Sequence, residues 1–539
     1  MLRLITACLG AVLLLVPIAA AADVPPGTAL APEQVFRYRV SGQAYSFDPQ
    51  LVQDLASAQI SMNLFEGLVV EGDDGNVAPG IAGSWDVSPD GLTYTFHLGQ
   101  SRWSDATPLV ADDFVFGWRR AVDPATASPY GYFVALAGVK NAKDILAGHL
   151  PPDQLGVVAP DPLTLVVTLE APARFFPQML SQATFFPVPR HVIAKNGARW
   201  TEPGLLVSNG AYFLSEYRPG EITRLKRNHH YWNDAQTVIR TVEFITVSDP
   251  LQAVTRYLAG ELDYSAISMS VSELPQAATA DLHMVPMLCT NYLAINLTAS
   301  GSPALQDVRV RRALWLAVDR QMFVDKIMQG AGVPAYTFTP PFTAGFAAPD
   351  LPEKEMSQAE REAMAKQLLR EAGYGPDRPL RFEMIVMRSP GIAKPMTALA
   401  QMYRQVLGAE VKLREMEFSA LLTARQERTY EVSRSGWCAD FNEPTSFLSQ
   451  LISPGTTRMA QNDPGYSNRE LDALMASARG MADPSPAYAR IETMIARDVP
   501  VIPLFHQAEM FLLKPSVGGW PMRNVEDVWY ARQLYKVAP

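Results

Sequence analysis

The sequence has few of the residues that metal and redox chemistry requires. Three cysteines and seven histidines occur in 539 residues, and no histidine belongs to an H-E-x-x-H pair or another compact ligand spacing. The G-x-S-x-G elbow, the S-x-x-K motif and the Walker A loop are also missing. We therefore predict no metal, no cofactor and no enzymatic activity, although a dispersed catalytic triad would leave no such pattern.

A basic surface and long apolar runs are lacking beyond the first residues. The net charge of -9 disfavours nucleic acid and anionic membranes as partners. The one long apolar run, residues 4–18, follows Arg3 and precedes Ala20 and Ala22, a pattern typical of a signal peptide cleaved near Ala22. This run is short for a membrane span, and none like it follows. We expect an exported, soluble, periplasmic protein.

Removal of a signal peptide leaves two cysteines, Cys289 and Cys438. An even pair in an exported protein indicates a disulfide, with two separate buried thiols as the alternative. A bridge would close a long loop, which the chain-entropy model values at ~4 kcal/mol. It would also anchor the segment that holds Asp440.

The chain is too long for one core, so we expect about two to four domains. The segments "LRFEMIVM", "EVKLREMEF" and "YEVSRSGW" predict strands with helices between them, which indicates an α/β fold around a parallel sheet. Earlier, "GLTYTFHL" and "LTLVVTLE" predict strands and "ADDFVFGWRRAV" a helix. Two capping boxes, Ser357 with Glu360 and Ser467 with Glu470, predict helix starts.

A further helix is predicted from residue 307 to Gly330. Asp307 is its candidate N-cap. The basic residues Arg309, Arg311 and Arg312 on this helix are most simply interpreted as a solvated face.

The stretch "SRSGWCADFNEPTSFL" contains the most informative acid of the chain, Asp440. It lies just past the end of a predicted strand, and open α/β sheets bind ligands outside the carboxyl ends of their strands. Its apolar and aromatic neighbours predict a recess, where a lone carboxylate is costly unless a cation meets it. We therefore predict a site for a cationic group at Asp440, with a loop-capping Asx turn as the alternative.

An ordered series of segments carries a family resemblance. The segments "LFEGLV", "APGIAGSWDVSPDGLTYTFHL", "VSNGAYFL", "LCTNYLAIN" and "GWCADFNEPTSFL" resemble the oligopeptide-binding proteins of ABC importers, family 5 of the extracytoplasmic solute-binding proteins. The resemblance implies a large periplasmic-binding-protein-like (type II) α/β fold with two lobes that close on a cleft and an extra third domain. It implies a signal peptide (1–22), a discontinuous domain I (23–78, 187–288 and 509–539), domain II (79–186) and domain III (289–508).

The resemblance also implies site residues. It implies a disulfide between Cys289 and Cys438. It also implies that Asp440 binds a peptide's α-ammonium group and that Arg434 binds the α-carboxylate of a tripeptide. It places Tyr130 beside the acid and Glu66 near the ligand. The other residues that it places around the ligand are Gly436, Trp437, Cys438, Phe418, Arg425 and Arg388.

The chain departs from the family where longer peptides are held. Met328 and Ala393 stand near the positions of a Lys and a His that serve the carboxylates of such peptides, and His506 or Gln507 stands near that of a ligand-facing Tyr. We therefore expect a monomer that delivers a shorter peptide to a membrane permease with its ATPase. The alternatives are a murein tripeptide or other non-standard peptide, a non-peptide ligand on the same scaffold, and a secreted peptide or murein hydrolase.

Overall fold

The computed structural model describes residues 22–267, 269, 271–453 and 462–538. The predicted signal peptide therefore lies outside the described residues, apart from Ala22. Within the described ranges, no helix is long and apolar enough to cross a membrane.

Strands are distributed along the described part of the chain. In chain order the strands are β1 (Val35–Val40), β2 (Val69–Glu71), β3 (Val77–Pro79), β4 (Ala82–Val87), β5 (Thr93–Leu98), β6 (Ser101–Arg102), β7 (Pro108–Leu109), β8 (Val157–Asp161), β9 (Thr164–Thr168), β10 (Tyr212–Arg218), β11 (Ile222–Arg227), β12 (Thr241–Thr246), β13 (Tyr264–Ala266), β14 (Leu282–Ile295), β15 (Gly332–Pro334), β16 (Arg381–Met387), β17 (Glu410–Met416), β18 (Val432–Cys438), β19 (Val501–Leu513), β20 (Val517–Gly518) and β21 (Tyr535–Lys536).

The helices are mostly short. They are α1 (Leu55–Leu64), α2 (Ala111–Val122), α3 (Gly131–Leu136), α4 (Ala142–Leu146), α5 (Phe176–Met179), α6 (Arg190–Asn196), α7 (Pro250–Leu258), α8 (Pro303–Gln306), α9 (Val308–Leu316), α10 (Arg320–Met322), α11 (Pro352–Glu355), α12 (Gln358–Glu371), α13 (Pro390–Leu407), α14 (Phe418–Gln426), α15 (Thr445–Leu448), α16 (Arg469–Ala478) and α17 (Ser485–Asp498). A π-helical turn, Phe323–Ile327, follows α10.

One large sheet runs through the molecule in the order β10-β11-β12-β1-β13-β19-β14-β18-β16-β17, with β15 paired to β19. Strand β1 is parallel to β12 and β13, and β16 is parallel to β17 and β18. The predicted α/β fold with parallel βαβ units is confirmed for these strands. The prediction of a parallel sheet was incomplete, because the long strands β14 and β19 join the two parallel groups through antiparallel pairing.

Strands β14 and β19 pair in two separate stretches. Residues 282–286 pair with 508–512, and residues 290–294 pair with 501–506, with a register shift between Pro286 and Thr290. An irregular ladder bends a strand locally and has fewer cross-strand hydrogen bonds. An irregular segment therefore separates the two stretches of pairing between β14 and β19.

A four-stranded antiparallel sheet, β4-β5-β9-β8, forms a separate layer. Its strand β5 buries Tyr94, Phe96 and Leu98, as the alternation in the sequence predicts. Helix α2 spans the predicted "ADDFVFGWRRAV" and contributes Phe114 and Trp118 to the same core.

The long helix predicted from residue 307 is wrong as a single element. Asp307 does cap α9, but a second N-cap, Asp319, accepts the Met322 N–H and starts α10 anew. Arg311 also contradicts the solvated face, since it is buried and donates to the carbonyl oxygens of Asp498 and Leu305. The guanidinium has enough donors to satisfy these backbone acceptors inside the protein.

One of the two predicted capping boxes is confirmed. Ser357 and Glu360 exchange hydrogen bonds at the start of α12. At α16 the cap is Asn468, whose side chain accepts the N–H groups of Glu470 and Leu471, while the Ser467 hydroxyl bonds Ser453. Asn is as good an N-cap as Ser, so the pattern alone selected the wrong neighbour.

Candidate functional site

Three parallel strands end at one edge of the large sheet. The register pairs Met387 of β16 with Met416 of β17, and Ile385 of β16 with Ser433 of β18. The residues that follow these strands include Arg388, Phe418 and Asp440. The carboxyl ends of neighbouring parallel strands therefore gather several predicted site residues at the edge where α/β folds bind ligands.

A disulfide fixes the position of Asp440. Cys289 of β14 is bonded to Cys438 of β18 across the ladder that pairs these two strands. The bond closes a separation of 149 residues, so the prediction of a bridge is confirmed over the alternative of two thiols. One residue further on, the Ala439 N–H donates to the Leu288 carbonyl oxygen at 2.7 Å. Asp440 therefore follows two residues, Cys438 and Ala439, that are attached to β14 by the disulfide and by a backbone hydrogen bond.

The Asp440 carboxylate has no partner among the residues that the structure describes. Its backbone N–H donates to Ser446 Oγ at 2.9 Å, and its carbonyl oxygen accepts from Gln182 Nε2 at 3.2 Å. Neither an ion pair nor an Asx-turn hydrogen bond uses the carboxylate within the described ranges, so the loop-capping alternative is not what the structure has. Burial raises the pKa of this carboxyl to about 6.

Aromatic side chains surround this acid. Burial, and next the negative charge of Asp440, raise the pKa values of Tyr130 and Tyr132, so both hydroxyls lie within its field. Trp437 donates its Nε1–H to the Ser446 carbonyl oxygen at 2.7 Å, and Phe441 stacks on Phe175 at 5.3 Å. Tyr132 was missed by the sequence analysis, although it stands two residues after Tyr130 in "SPYGYF". The surroundings favour a group that neutralises the carboxylate.

Arg434 is a cationic residue on β18, the strand that precedes Asp440. It lies on β18 opposite Leu293, and its guanidinium bonds the neutral side chain of Asn291. Burial, and next repulsion from Arg425, lower the pKa of Arg434. No carboxylate among the described residues forms an ion pair with it. Arg434 therefore retains an unmet positive charge.

Arg425 already has an internal partner. Its Nε–H donates to Asp463 Oδ2 at 2.6 Å, and both side chains are buried. The sequence shows no sign of this pair, because 38 residues separate its members. Ligand contact by Arg425 therefore stays a prediction, since Asp463 already takes up its charge.

Glu66 is buried, with 2 % of its surface exposed. Its carboxylate accepts from the Tyr231 hydroxyl at 2.6 Å and from Trp232 Nε1 at 2.7 Å, and Arg532 Nη2 lies 3.7 Å away. Ligand contact by Glu66 stays a prediction, and two protein donors and a nearby arginine already serve this carboxylate.

The remaining predicted residues lie at or near the surface of the edge. Arg388 pairs with Glu417 at 2.9 Å, and both side chains are largely exposed. Phe418, at the start of α14, is 57 % exposed, and Gly436 is exposed opposite Asn291. An exposed aromatic side chain such as Phe418 is available to a ligand.

His506 does not replace the missing basic residues. It is buried, its Nδ1 lies 2.9 Å from Thr290 Oγ1, and burial lowers its pKa to about 3. The ring is therefore neutral at physiological pH and supplies no charge for a ligand carboxylate.

A family model matches a large part of the chain, including Arg388, Phe418 and Asp440 at this edge of the sheet. Residues 76–458 match the bacterial extracellular solute-binding proteins, family 5. This chain belongs to that family. The prediction of a family 5 solute-binding protein with a type II binding-protein fold is therefore confirmed. Residues 268, 270 and 454–458 of this match lie outside the described residues.

Two curated relatives from Escherichia coli cover nearly the whole chain. The protein is 40% identical over 520 residues to the "probable deoxycholate-binding periplasmic protein YgiS", with 96% of each chain covered. It is 37% identical over 527 residues to the periplasmic oligopeptide-binding protein OppA, again with 96% of each covered. The names of the two relatives thus refer to ligands of different chemical classes, a bile acid and oligopeptides.

Two solved structures differ in how well they superpose. The unliganded open form of the murein tripeptide-binding protein MppA gives a TM-score of 0.86 at 35% identity, with 96% of this chain and 99% of the other covered. The Haemophilus influenzae OppA complex with the peptide RPPGFSPFR gives 0.73 at 32% identity, with 94% and 100% covered. The structure is thus more similar to the open form than to this peptide complex.

Proposed function

We propose that this protein captures short peptides by their free amino terminus, which binds Asp440. The observation that carries this proposal is the Asp440 carboxylate, which is largely buried and unpaired among the described residues. A peptide's α-amine has a pKa near ~8 and is cationic at neutral pH. Pairing the two groups offsets the cost of burying either charge alone.

The carboxyl end of the peptide binds Arg434 in this proposal. Arg434 bonds the neutral Asn291 and has no described carboxylate partner, so a ligand carboxylate gains a charge-assisted hydrogen bond there. Arg434 and Asp440 are six residues apart along the chain, which limits their separation to about 20 Å. Met328 and Ala393 are apolar and His506 is neutral, so these three residues supply no positive charge for the carboxylate of a longer peptide. We therefore propose a short peptide such as a tripeptide.

Capture requires the two halves of the sheet to close. We propose that the predicted domains I and II form one jaw and domain III the other, with the hinge at the register shift of β14 and β19. The higher TM-score with an open form supports an open resting state. A ligand that bridges both jaws favours the closed state by its differential affinity.

The proposed context is that of the family. The two relatives are named as periplasmic proteins. This protein is likewise proposed to be a periplasmic monomer that passes its ligand to the permease and ATPase of an ABC importer. It is proposed to bind without catalysing a reaction. Incubation with a peptide pool, followed by mass spectrometry, tests this point, since new cleavage products would favour the hydrolase alternative.

Isothermal titration calorimetry with three forms of one tripeptide tests the proposal. The free peptide should bind at about micromolar affinity or tighter, near -8 kcal/mol. The N-acetylated peptide should bind poorly to the parent protein. The C-amidated peptide should also bind the parent weakly, with an affinity similar to that of the free peptide for the Arg434→Ala variant. Equal binding of the acetylated and free peptides would contradict the role of Asp440.

A second candidate is a steroid carboxylate. The relative with 40% identity is named as a probable deoxycholate-binding protein, and Arg434 and the exposed Phe418 suit an apolar anion. Such a ligand supplies no cation for Asp440, so Asp440→Asn should leave its binding unchanged while Arg434→Ala abolishes it. Native mass spectrometry of protein purified without refolding would identify either class of ligand directly.

A further inference from the structure

Two more acids lie close to Asp440. Glu71 ends β2, and Glu526 lies in the segment that follows β20. Their carboxyl groups are hydrogen-bonded to each other. Glu71 is only 6 % exposed, and its Oε2 has no hydrogen-bond partner among the described residues. The neighbouring Ser181 hydroxyl donates to the Gln178 carbonyl oxygen, and Asn524 Nδ2 donates to the Val528 carbonyl oxygen. A buried acceptor without a donor marks a place where a donor is missing.

Backbone contacts bring this pair next to the proposed peptide site. The Leu288 N–H donates to the Val525 carbonyl oxygen at 2.8 Å, and the Leu288 carbonyl oxygen accepts from Ala439 at 2.7 Å. Val525, which precedes Glu526, and Ala439, which precedes Asp440, are thus both hydrogen-bonded to Leu288 of β14. Burial, then the charge of Glu71, and then that of Asp440 raise the pKa of Glu526, so the three acids share one region.

The negative charge of this region exceeds what one ammonium group neutralises. Two carboxyl groups in contact share one proton and keep one negative charge, to which Asp440 adds a second. Within the described ranges, no basic side chain forms an ion pair with any of the three acids. Arg532 stacks on Tyr530 and faces Glu66 instead, and the exposed Arg523 acts on Asp73 and Asp74.

We propose that Glu526, together with Glu71, selects ligands that carry a second cation beside their amino terminus, such as peptides that begin with lysine, arginine or another diamino acid. This inference rests on the proposed peptide function. The side chain of the first residue leaves the same Cα as the α-ammonium group, so it can reach an acid next to Asp440. An amine or guanidinium supplies the donors that the pair lacks. Among the described residues, no group of three acidic, His or Cys side chains is arranged to hold a metal ion.

Matched peptides test this selectivity on the full-length mature protein. Lys-Ala-Ala and norleucine-Ala-Ala have side chains of similar length and differ in the terminal charge. Calorimetry should give about tenfold tighter binding of the lysyl peptide to the parent protein. Glu526→Gln should reduce this ratio to about threefold or less, while the exposed Glu355→Gln, the charge-matched control, should retain it. Circular dichroism verifies folding, and Glu71→Gln provides a second variant of the pair.

The outcomes separate this inference from the proposed function. It is overturned if the parent binds the two peptides equally, or if the ratio survives in both Glu526→Gln and Glu71→Gln. In either case, the role of Asp440 would still be supported if norleucine-Ala-Ala binds with a free amino terminus and does not bind when it is N-acetylated. If N-acetylation of both peptides changes nothing, the proposed function fails and this inference fails with it.

Discussion

Two largely buried acids of this protein have opposite surroundings. The Glu66 carboxylate has two hydrogen-bond donors and an arginine, whereas the Asp440 carboxylate has neither a described donor nor a described cation. A satisfied buried charge holds its partners in place and stabilises the fold. An unsatisfied one weakens the unliganded protein and has free energy to gain from a ligand. The comparison teaches that missing partners, rather than burial, distinguish a candidate site.

The largest effect is expected from Glu66→Gln. Removal of this charge leaves the buried Arg532 without its carboxylate and presents an amide to two donors, which should lower the free energy of unfolding by about 3 kcal/mol. Urea denaturation followed by circular dichroism measures the loss. Peptide affinity of the folded variant should stay within about threefold of the parent. Glu355→Gln, an exposed change of the same charge, should be nearly neutral.

Asp440→Asn should show the reverse pattern. Its affinity for free-amine tripeptides should fall by at least ~2 kcal/mol, because the buried ammonium loses its counter-charge. The unliganded variant should unfold at an equal or higher temperature than the parent, since no unpaired carboxylate remains. Calorimetry and thermal unfolding measure the two quantities. A variant that loses stability but keeps its affinity would make Asp440 a structural acid like Glu66.

The pH dependence of binding is the next largest effect. Because the peptide α-amine loses its charge near a pKa of ~8 and an ammonium needs the carboxylate form of Asp440, affinity should be highest between pH ~8 and the Asp440 pKa of about 6. Below it, affinity should fall by about tenfold per pH unit, until the pKa of the complex is reached. Calorimetry from pH 4.5 to pH 8 tests this range, and Asp440→Asn should lack the dependence.

The stability of the unliganded protein should respond to pH with the opposite sign. The pKa of Asp440 is higher in the folded protein than the ordinary value of about 3.9, so the folded state binds this proton more tightly. The contribution of this group therefore rises as the pH falls from about 7 to about 4. The difference between the parent and Asp440→Asn isolates it from other titrating groups. No difference across this range would contradict the burial of Asp440.

The smallest effect is expected from Arg388→Ala. Arg388 pairs with Glu417 at the surface, and exposed pairs contribute about 0.2 to 1 kcal/mol. Tripeptide affinity should change by less than about threefold, whereas Arg434→Ala should cause a clear loss. If only Arg388→Ala weakens binding, Arg388 rather than Arg434 holds the ligand carboxylate.

Several elements were predictable because their signals are local. The alternation of Tyr94, Phe96 and Leu98 and the capping box at Ser357 predicted β5 and α12 correctly. The break before α10 was not predicted, since Asp319 lies inside an otherwise helical pattern. Buried Arg311 was missed as well, because its acceptors come from distant segments.

The sequence by itself determined the α/β pattern, the family and the position of Asp440 after a strand, since periodicity and motif order are local properties of a chain. Only the tertiary structure decided which charges are paired. Glu66 meets Arg532, Arg425 meets Asp463, and Glu71 meets Glu526 across sequence separations that no local pattern encodes. Desolvation depends on everything packed around a group, so the unmet charge of Asp440 became evident only once its neighbours were in place.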